Sequence, residues 1–532
     1  MVAPSIPFEF NTAGPNMPDI HYTLPPLARV KLDEVMALIQ ARRYFILHAP
    51  RQTGKTSCLL ALRDHLNREG RYRCLYVNIE AAQAQREDVR EAVRSILSSY
   101  AQRVWEAFGD AWCKESWHKL WLDTGAAALE GLLAEHAARD PRPLVVLFDE
   151  VDALIGDTLI SFLRQLRAGY DKRPAHFPQT VVLCGVRDVR DYRIHSSAEK
   201  TVITGGSAFN VKAESLRLGD FSRAEMEALY AQHTVETGQV FEPAALDCAW
   251  ELTRGQPWLV NALAREACFK IPAGKDRSRP VTAELLELAK ENLIERRDTH
   301  LDQLSARLEE DRVRRVIEPI LDGADLSADA LPNDDVLYVR DLGLIRIEGG
   351  TLRVANALYQ EIIPRELTWT TQYTLTQEYA WYQRADGSLD VAKLLLAFQE
   401  FFREHSEHWV ERFQYKEAGP QLLLQAFLQR IVNGGGRIER EYGLGRRRTD
   451  LLILWPLVKP LQKVVLELKL IRNAPERALA DGLAQTVEYL DRCGAAEGHL
   501  ILFDRRPQRT WEEKLFCRQE QHAARSITVW GM

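Results

Sequence analysis

YFILHAPRQTGKT, residues 44–56, sets the reading of the whole chain. An apolar run passes into Ala49-Pro50-Arg51-Gln52-Thr53-Gly54-Lys55-Thr56, and helical spacing follows at once. The segment differs from the pattern G-x-x-x-x-G-K-[ST] only in carrying Ala49 where that pattern has its first glycine. Chemistry explains the spacing. Backbone N–H groups at a helix N-terminus cradle phosphate oxygens, Lys55 reaches the terminal phosphates, and Thr56 offers a hydroxyl to Mg²⁺. Gly54 allows close backbone approach, whereas position 49 needs a small side chain more than it needs positive φ. ATP with Mg²⁺ is the expected ligand.

PLVVLFDEVD, residues 143–152, agrees with that reading. A buried run ends in Asp149 and Glu150, and burying two carboxylates without purpose is expensive. At the C-terminal edge of a parallel sheet, Asp149 is expected to hold Mg²⁺ and Glu150 to activate water. YFILHA, CLYVNI, PLVVLF and TVVLCGV are short apolar runs separated by long helical stretches, the pattern of a parallel sheet covered by helices. Trp105, Trp112, Trp117 and Trp121 fall at helical spacing between the second and third runs and read as core.

These residues resemble the AAA+ superfamily, on the side of its archaeal-type and STAND-like ATPases, over residues 20 to 365. The resemblance implies a sensor role for Arg187 in TVVLCGVRD, or else a surface arginine in a loop. It also implies that Pro257 in Gly255-Gln256-Pro257 starts a lid helix near the nucleotide base. His21 and Tyr22 either line the base pocket or anchor the N-terminal segment. Arg164 and Arg167 are arginine-finger candidates only if protomers meet there.

The 532 residues suggest about three or four domains. Residues 1–30 read as an extended strap, 31–215 as the ATPase core and 216–305 as a helical lid. Ser222 and Glu225 sit at capping-box spacing. Residues 306–370 follow a helix–hairpin–helix outline, a winged helix whose hairpin carries only Arg346 and Arg353, which favours a structural role. Residues 371–414 read as a helical connector. The eight cysteines form no C-x-x-C pair, so no zinc ribbon or disulfide framework is expected. No signal peptide is evident, and no apolar run approaches the ~20 residues that span a bilayer. A cytoplasmic protein with no membrane partner is expected. Net charge is -6, so nucleic-acid binding must come from a local patch.

Such a patch occurs in GRIEREYGLGRRRTDLLILWP, residues 436–456, where Arg446, Arg447 and Arg448 precede Asp450. VVLELKL follows, with Glu467 and Lys469 on one strand face. A hairpin turning near residues 458–460 sets Asp450 opposite Glu467 or Lys469, within a residue. Two carboxylates and a lysine then gather where Mg²⁺ or Mn²⁺ can bind through hard oxygen ligands. The plain alternative is a solvated edge strand with a charged turn. His405 and His408 are three apart, but no further Cys or His pair accompanies them, and an exposed helix face explains them.

D…E-x-K between strands, then a helix, resembles the PD-(D/E)XK nuclease superfamily over residues 415–532. Thr449 stands where that family often has proline. The resemblance implies a further acidic ligand, for which Glu417 is the first candidate and Glu439 and Glu441 are alternatives. It implies polar roles for Gln485 and Tyr489 on the following helix. The expected architecture is therefore α/β and multidomain: a parallel-sheet P-loop NTPase core with helical lid, a winged helix, and a C-terminal nuclease fold. The expected activity is ATP-regulated, metal-dependent cleavage of nucleic acid, DNA above all, with homo-oligomerisation and an activating partner as open possibilities. By analogy such a fusion suits prokaryotic defence or a mobile element. The alternative is a nucleotide switch that binds nucleic acid or protein through a non-catalytic nuclease fold.

Overall fold

The apolar runs become strands β1 (Phe45–His48), β2 (Arg73–Asn78), β3 (Leu144–Asp149) and β4 (Thr180–Gly185), buried almost throughout. The computed structural model describes residues 8–186, 194–195, 202–203, 214–296, 306–321, 326–367, 381–412, 420, 423–425, 427–428, 436–444, 447–456, 458–471, 474–504, 506 and 508–532. Two compact units divide the chain. The first is Met1–His300 with Leu331–Arg346 and Ala355–Ala357; the second is Leu301–Ala330 with Ile347–Val354 and Leu358–Met532.

In the first unit, β5 (Ile194–His195) and β6 (Val202–Ile203) pair with each other, and β7 (Glu214–Arg217) joins the main sheet. All neighbours in the order β2-β3-β4-β1-β7 are parallel. Both faces are covered, as the unbroken apolar runs require. Val146 and Phe148 face a core shared with helices Val89–Phe108, Ala128–Ala138 and Gly156–Ala168, while Val145 and Leu147 face helices Leu32–Gln40 and Lys55–Glu69. Trp112, Trp117 and Trp121 pack half-buried against this core. Trp105 departs from expectation: it is 42% exposed, on the outer side of its helix.

Helices Arg223–Thr237, Pro243–Thr253, Pro257–Arg265 and Ala283–Arg296 follow β7. The first begins with the capping box that its spacing predicts, Ser222 and Glu225 satisfying each other's backbone N–H groups. The N-terminal segment is fastened to these helices. Phe10 is fully buried, its ring against Tyr22, Tyr230, His233 and Phe269, and Glu9 pairs with Arg265 at 3.0 Å.

Within residues 306–370 the helix–hairpin–helix order is present: helices Asp311–Leu321 and Asn333–Asp341, strands β8 (Ile345–Glu348) and β9 (Thr351–Val354), then helix Ala357–Leu367.

The second unit holds a six-stranded sheet of β10 (Arg437–Leu444), β11 (Arg447–Trp455), β12 (Gln462–Ile471), β13 (Glu497–Asp504), β14 (Phe516–His522) and β15 (Arg525–Gly531). Its order is β10-β11-β12-β13-β15-β14. Helix Val391–Arg412 does more than connect. Leu394, Leu395, Phe398 and Phe402 share one core with Leu451, Ile453, Val464, Leu466 and Leu468. On the other face, helix Pro475–Cys493 packs Tyr489, Leu490 and Cys493 against Leu452 and Val465.

Candidate functional site

The loop between β1 and the helix Lys55–Glu69 is built from its backbone outward. Gln52 and Gly54 have φ of 58° and 87°, and Gly54 caps the helix in the left-handed region, where a side chain strains the backbone. Ala49 is fully buried, and its φ is not positive, which is why alanine serves there. Lys55 is itself buried, and Nζ donates to Ala49 O and Pro50 O at 3.0 Å each. Thr53 Oγ1 donates to Pro50 O at 2.8 Å. Arg51 is exposed.

Thr56 and Asp149 are brought together. Thr56 Oγ1 donates to Asp149 Oδ2 at 2.7 Å, and Asp149 is fully buried. Tyr76 donates to the same oxygen at 2.9 Å from the neighbouring strand β2. Tyr76 carries no signal of this role in the sequence, because in CLYVNI it reads as one more core aromatic. Glu150 follows at φ 60°, a left-handed conformation uncommon for this residue type. Burial, then the neighbouring carboxylates of Asp152 and Asp149, raise its pKa above the ordinary value. A half-buried carboxylate beside a phosphate cradle and a hydroxyl–carboxylate pair is the equipment for in-line attack by water on a phosphoryl group.

A cavity lies beside the loop, lined among others by Asn16, Tyr22, Gln52, Pro257, Trp258 and Asn261. Pro257 enters it from the first turn of its helix. Tyr22 both lines the cavity and anchors the N-terminal segment, through His233 at 3.0 Å and Glu236. Trp258 Nε1 donates to Thr12 O at 2.9 Å. Arg187 lies outside the described residues.

Below the loop a second cluster forms. Asp341 lies 3.5 Å from His48 Nδ1 and 3.5 Å from Arg217 Nε; the first two are buried, and the Arg217 side chain keeps 30% of its surface in water. His48 and Arg217 are register partners at the ends of β1 and β7, directly before the loop and the helical segment. Gly343 approaches Pro50 so closely that a Cβ there would stand 2.8 Å from Pro50 Cγ.

In the second unit, antiparallel pairing of β11 with β12 runs as far as Leu451↔Leu466 among the described residues. β12 continues alongside β13 as far as Ile471↔Asp504. The same register carried one residue further sets position 450 opposite Glu467, and β10 sets position 441 opposite 450, between the pairs Arg440↔Leu451 and Tyr442↔Thr449. Alternation with Val465 and Leu452 assigns 450, 467 and 469 to the face covered by helix Pro475–Cys493. Glu467 is 2% exposed, and Lys469 Nζ donates to its Oε1 at 2.6 Å. Gln485 on that helix is half-buried, and its Oε1 has no hydrogen-bond partner among the described residues. Arg447 and Arg448 occupy β11 opposite Leu444 and Gly443. Arg446 and Glu417 lie outside the described residues.

Residues 39–192 match the family model described as an AAA domain. This stretch carries an ATPase-type AAA domain. Among solved structures, the chain is similar to the Walker-type ATPase of Pyrococcus abyssi, at 16% identity and a TM-score of 0.44 over 66% of this chain and 99% of that one. It is also similar to Thermotoga maritima RuvB, described as a Holliday junction branch migration motor, at 14% identity and TM-score 0.32 over 63% and 94%. The Aeropyrum pernix ORC2 protein is similar at 14% identity and TM-score 0.33 over 64% and 95%. No curated protein matches the chain. Among the described residues, no helix is long and apolar enough to cross a membrane. The match spans the phosphate loop, Asp149 and Glu150, and leaves the second unit to be read from its own residues.

Proposed function

We propose that the chain is an ATP-regulated, metal-dependent nuclease, in which the AAA domain is the switch and the second unit cuts phosphodiester bonds. The second half is supported by the β11–β12 pairing, which runs to Leu451↔Leu466 and carried one residue further would bring Asp450 opposite Glu467, and by the bond from Lys469 to Glu467.

In the AAA domain, the N–H groups of residues 53–56 bind phosphate oxygens, and Lys55 exchanges the carbonyls of Ala49 and Pro50 for a terminal phosphate. Thr56 and Asp149 fit a Mg²⁺ ion, being a hydroxyl and a carboxylate already in contact; when bound, the ion neutralises phosphate charge. Glu150 orients water and takes its proton. Tyr22, Pro257 and Trp258 enclose the base. In the second unit, Asp450 and Glu467 are hard-oxygen ligands suited to Mg²⁺ or Mn²⁺, with Glu441 or Glu417 as a third. A cation held by them would lower the pKa of its bound water. Lys469 orients the attacking water, Gln485 lies on the helix covering that face, and Arg446, Arg447 and Arg448 hold the nucleic-acid backbone. DNA is the proposed substrate and the cytoplasm the proposed compartment, with a homo-oligomer or an activating partner completing the switch.

A second reading has one observation in its favour. Glu467 is nearly inaccessible and already neutralised by Lys469, which suits a fold that binds without cutting. Purified protein with Mg²⁺ or Mn²⁺, with and without ATP, separates the two on single-stranded DNA, double-stranded DNA and RNA. Cleavage abolished in Asp450→Ala, with ATPase activity intact, and altered in Lys55→Ala is the expected result. ATPase activity without cleavage on any substrate supports the second reading over the first for the chain without an activating partner.

A further inference from the structure

Arg29 ends the short helix Pro26–Arg29, outside every motif, yet its guanidinium reaches the phosphate loop. Nη1 donates to Thr53 O at 2.7 Å, and Nη2 donates to Gly219 O at 2.6 Å. The guanidinium carbon lies 4.6 Å from the centroid of the Phe221 ring. Gly219 belongs to the joint between β7 and the helix Arg223–Thr237. That joint is fixed at both ends: Leu218 N–H donates to His48 O at 2.9 Å, and Phe221 N–H donates to Gly255 O at 2.8 Å. The fork is therefore held from behind by hydrogen bonding and stacking, and its other edge grips the loop.

The Thr53 carbonyl and the Gly54 N–H belong to one peptide. In a planar trans peptide these two groups point in opposite directions. Fixing the oxygen on Arg29 therefore fixes the direction of the Gly54 N–H, one of the donors of the phosphate cradle. Without that hold the peptide has latitude to rotate, since Gly54 at φ 87° lacks the steric restraint of a Cβ. A Cβ at position 54 would also stand 3.0 Å from Arg29 Nη1, so the glycine makes room for the fork.

We propose that Arg29 is a positioning residue for phosphate binding: it orients the Thr53–Gly54 peptide so that the Gly54 N–H faces the β-phosphate. The proposal rests on the nucleotide-site reading above. Lysine cannot replace it fully, because a single ammonium lacks the planar fork that spans both carbonyls.

Calorimetric titration of the full chain with ATP, ADP and AMP tests this. Arg29→Gln is expected to weaken ATP and ADP about tenfold, the scale of one charge-assisted hydrogen bond, with AMP unchanged because it lacks the β-phosphate. Arg29→Lys, which keeps charge and stem should the glutamine variant fold poorly, is expected to fall between. Unchanged ATP affinity in both variants overturns the proposal, as does an equal loss for AMP and ATP. A wild type that binds none of the three overturns the nucleotide reading itself, and this proposal with it.

Discussion

The hydroxyl of Thr56 donates to the carboxylate of Asp149 at 2.7 Å, across 93 residues of sequence. One sits at the head of a helix and the other at the end of a buried strand, and their residue types suit the same ion. Tyr76 shares that carboxylate oxygen. Removing its hydroxyl deletes a hydrogen bond to a charged, fully buried group. Tyr76→Phe is expected to cost roughly 1.5–3 kcal/mol of stability and to raise the Mg²⁺ concentration needed for half-maximal ATPase activity. Denaturant unfolding and Mg²⁺ titration of phosphate release check the two effects; an unchanged Mg²⁺ midpoint reduces Tyr76 to a packing role.

Glu150 couples stability to pH. Its folded pKa lies above the ordinary 4.5, with burial the leading cause, so folding disfavours its ionised form. That cost is fully present above the folded pKa and disappears below the unfolded one. Glu150→Gln is therefore expected to raise the melting temperature at neutral pH, a gain that fades as pH falls below the ordinary carboxylate range. ATP turnover should fall sharply in the same variant. A melting temperature that does not depend on this substitution at any pH refutes the coupling.

Asp341 ties helix Asn333–Asp341 to the ends of β1 and β7 through His48 and Arg217. Truncation removes a buried carboxylate from both. Removing a buried polar partner costs about 1–3 kcal/mol, and the partial exposure of Arg217 keeps the ion-pair share small. Asp341→Ala is therefore expected to destabilise the first unit by roughly 2 kcal/mol. Equilibrium unfolding measures it, and a loss below about 1 kcal/mol would place the pair with ordinary surface bridges.

The arginine run is a question of salt. Replacing Arg447 and Arg448 together by Ala should flatten the dependence of log affinity for duplex DNA on log salt by about 0.9 for each phosphate no longer neutralised. An unchanged slope means that neither guanidinium meets a phosphate.

Much of the first unit was legible because its signals are local. Four apolar runs gave four parallel strands, GKT gave the helix start, and Ser222 with Glu225 gave a cap, each within a few residues of sequence. β7 was not legible: ESLR is short and partly exposed, and only its pairing with β1 makes it a strand. The hairpin of β14 and β15 escaped for the same reason, FCRQEQH being polar and largely uncovered on the sheet edge. Helix Val391–Arg412 read as a connector because periodicity reports an apolar face without reporting what it meets.

The sequence by itself determined the residue types and their order: a phosphate loop, a buried strand ending in Asp149 and Glu150, and an aspartate separated by a turn from E-x-K. It left the partner of Asp450 open between Glu467 and Lys469. Tertiary structure fixed the β11–β12 register as far as Leu451↔Leu466, because a one-residue slip would have moved Leu452 and Val465 off the face they share with Tyr489 and Leu490. Tertiary structure alone also brought Arg29 to Thr53, Tyr76 to Asp149 and Asp341 to His48. These contacts join segments whose local patterns carry no information about one another, and only the folded chain brings them within hydrogen-bonding or ion-pairing distance.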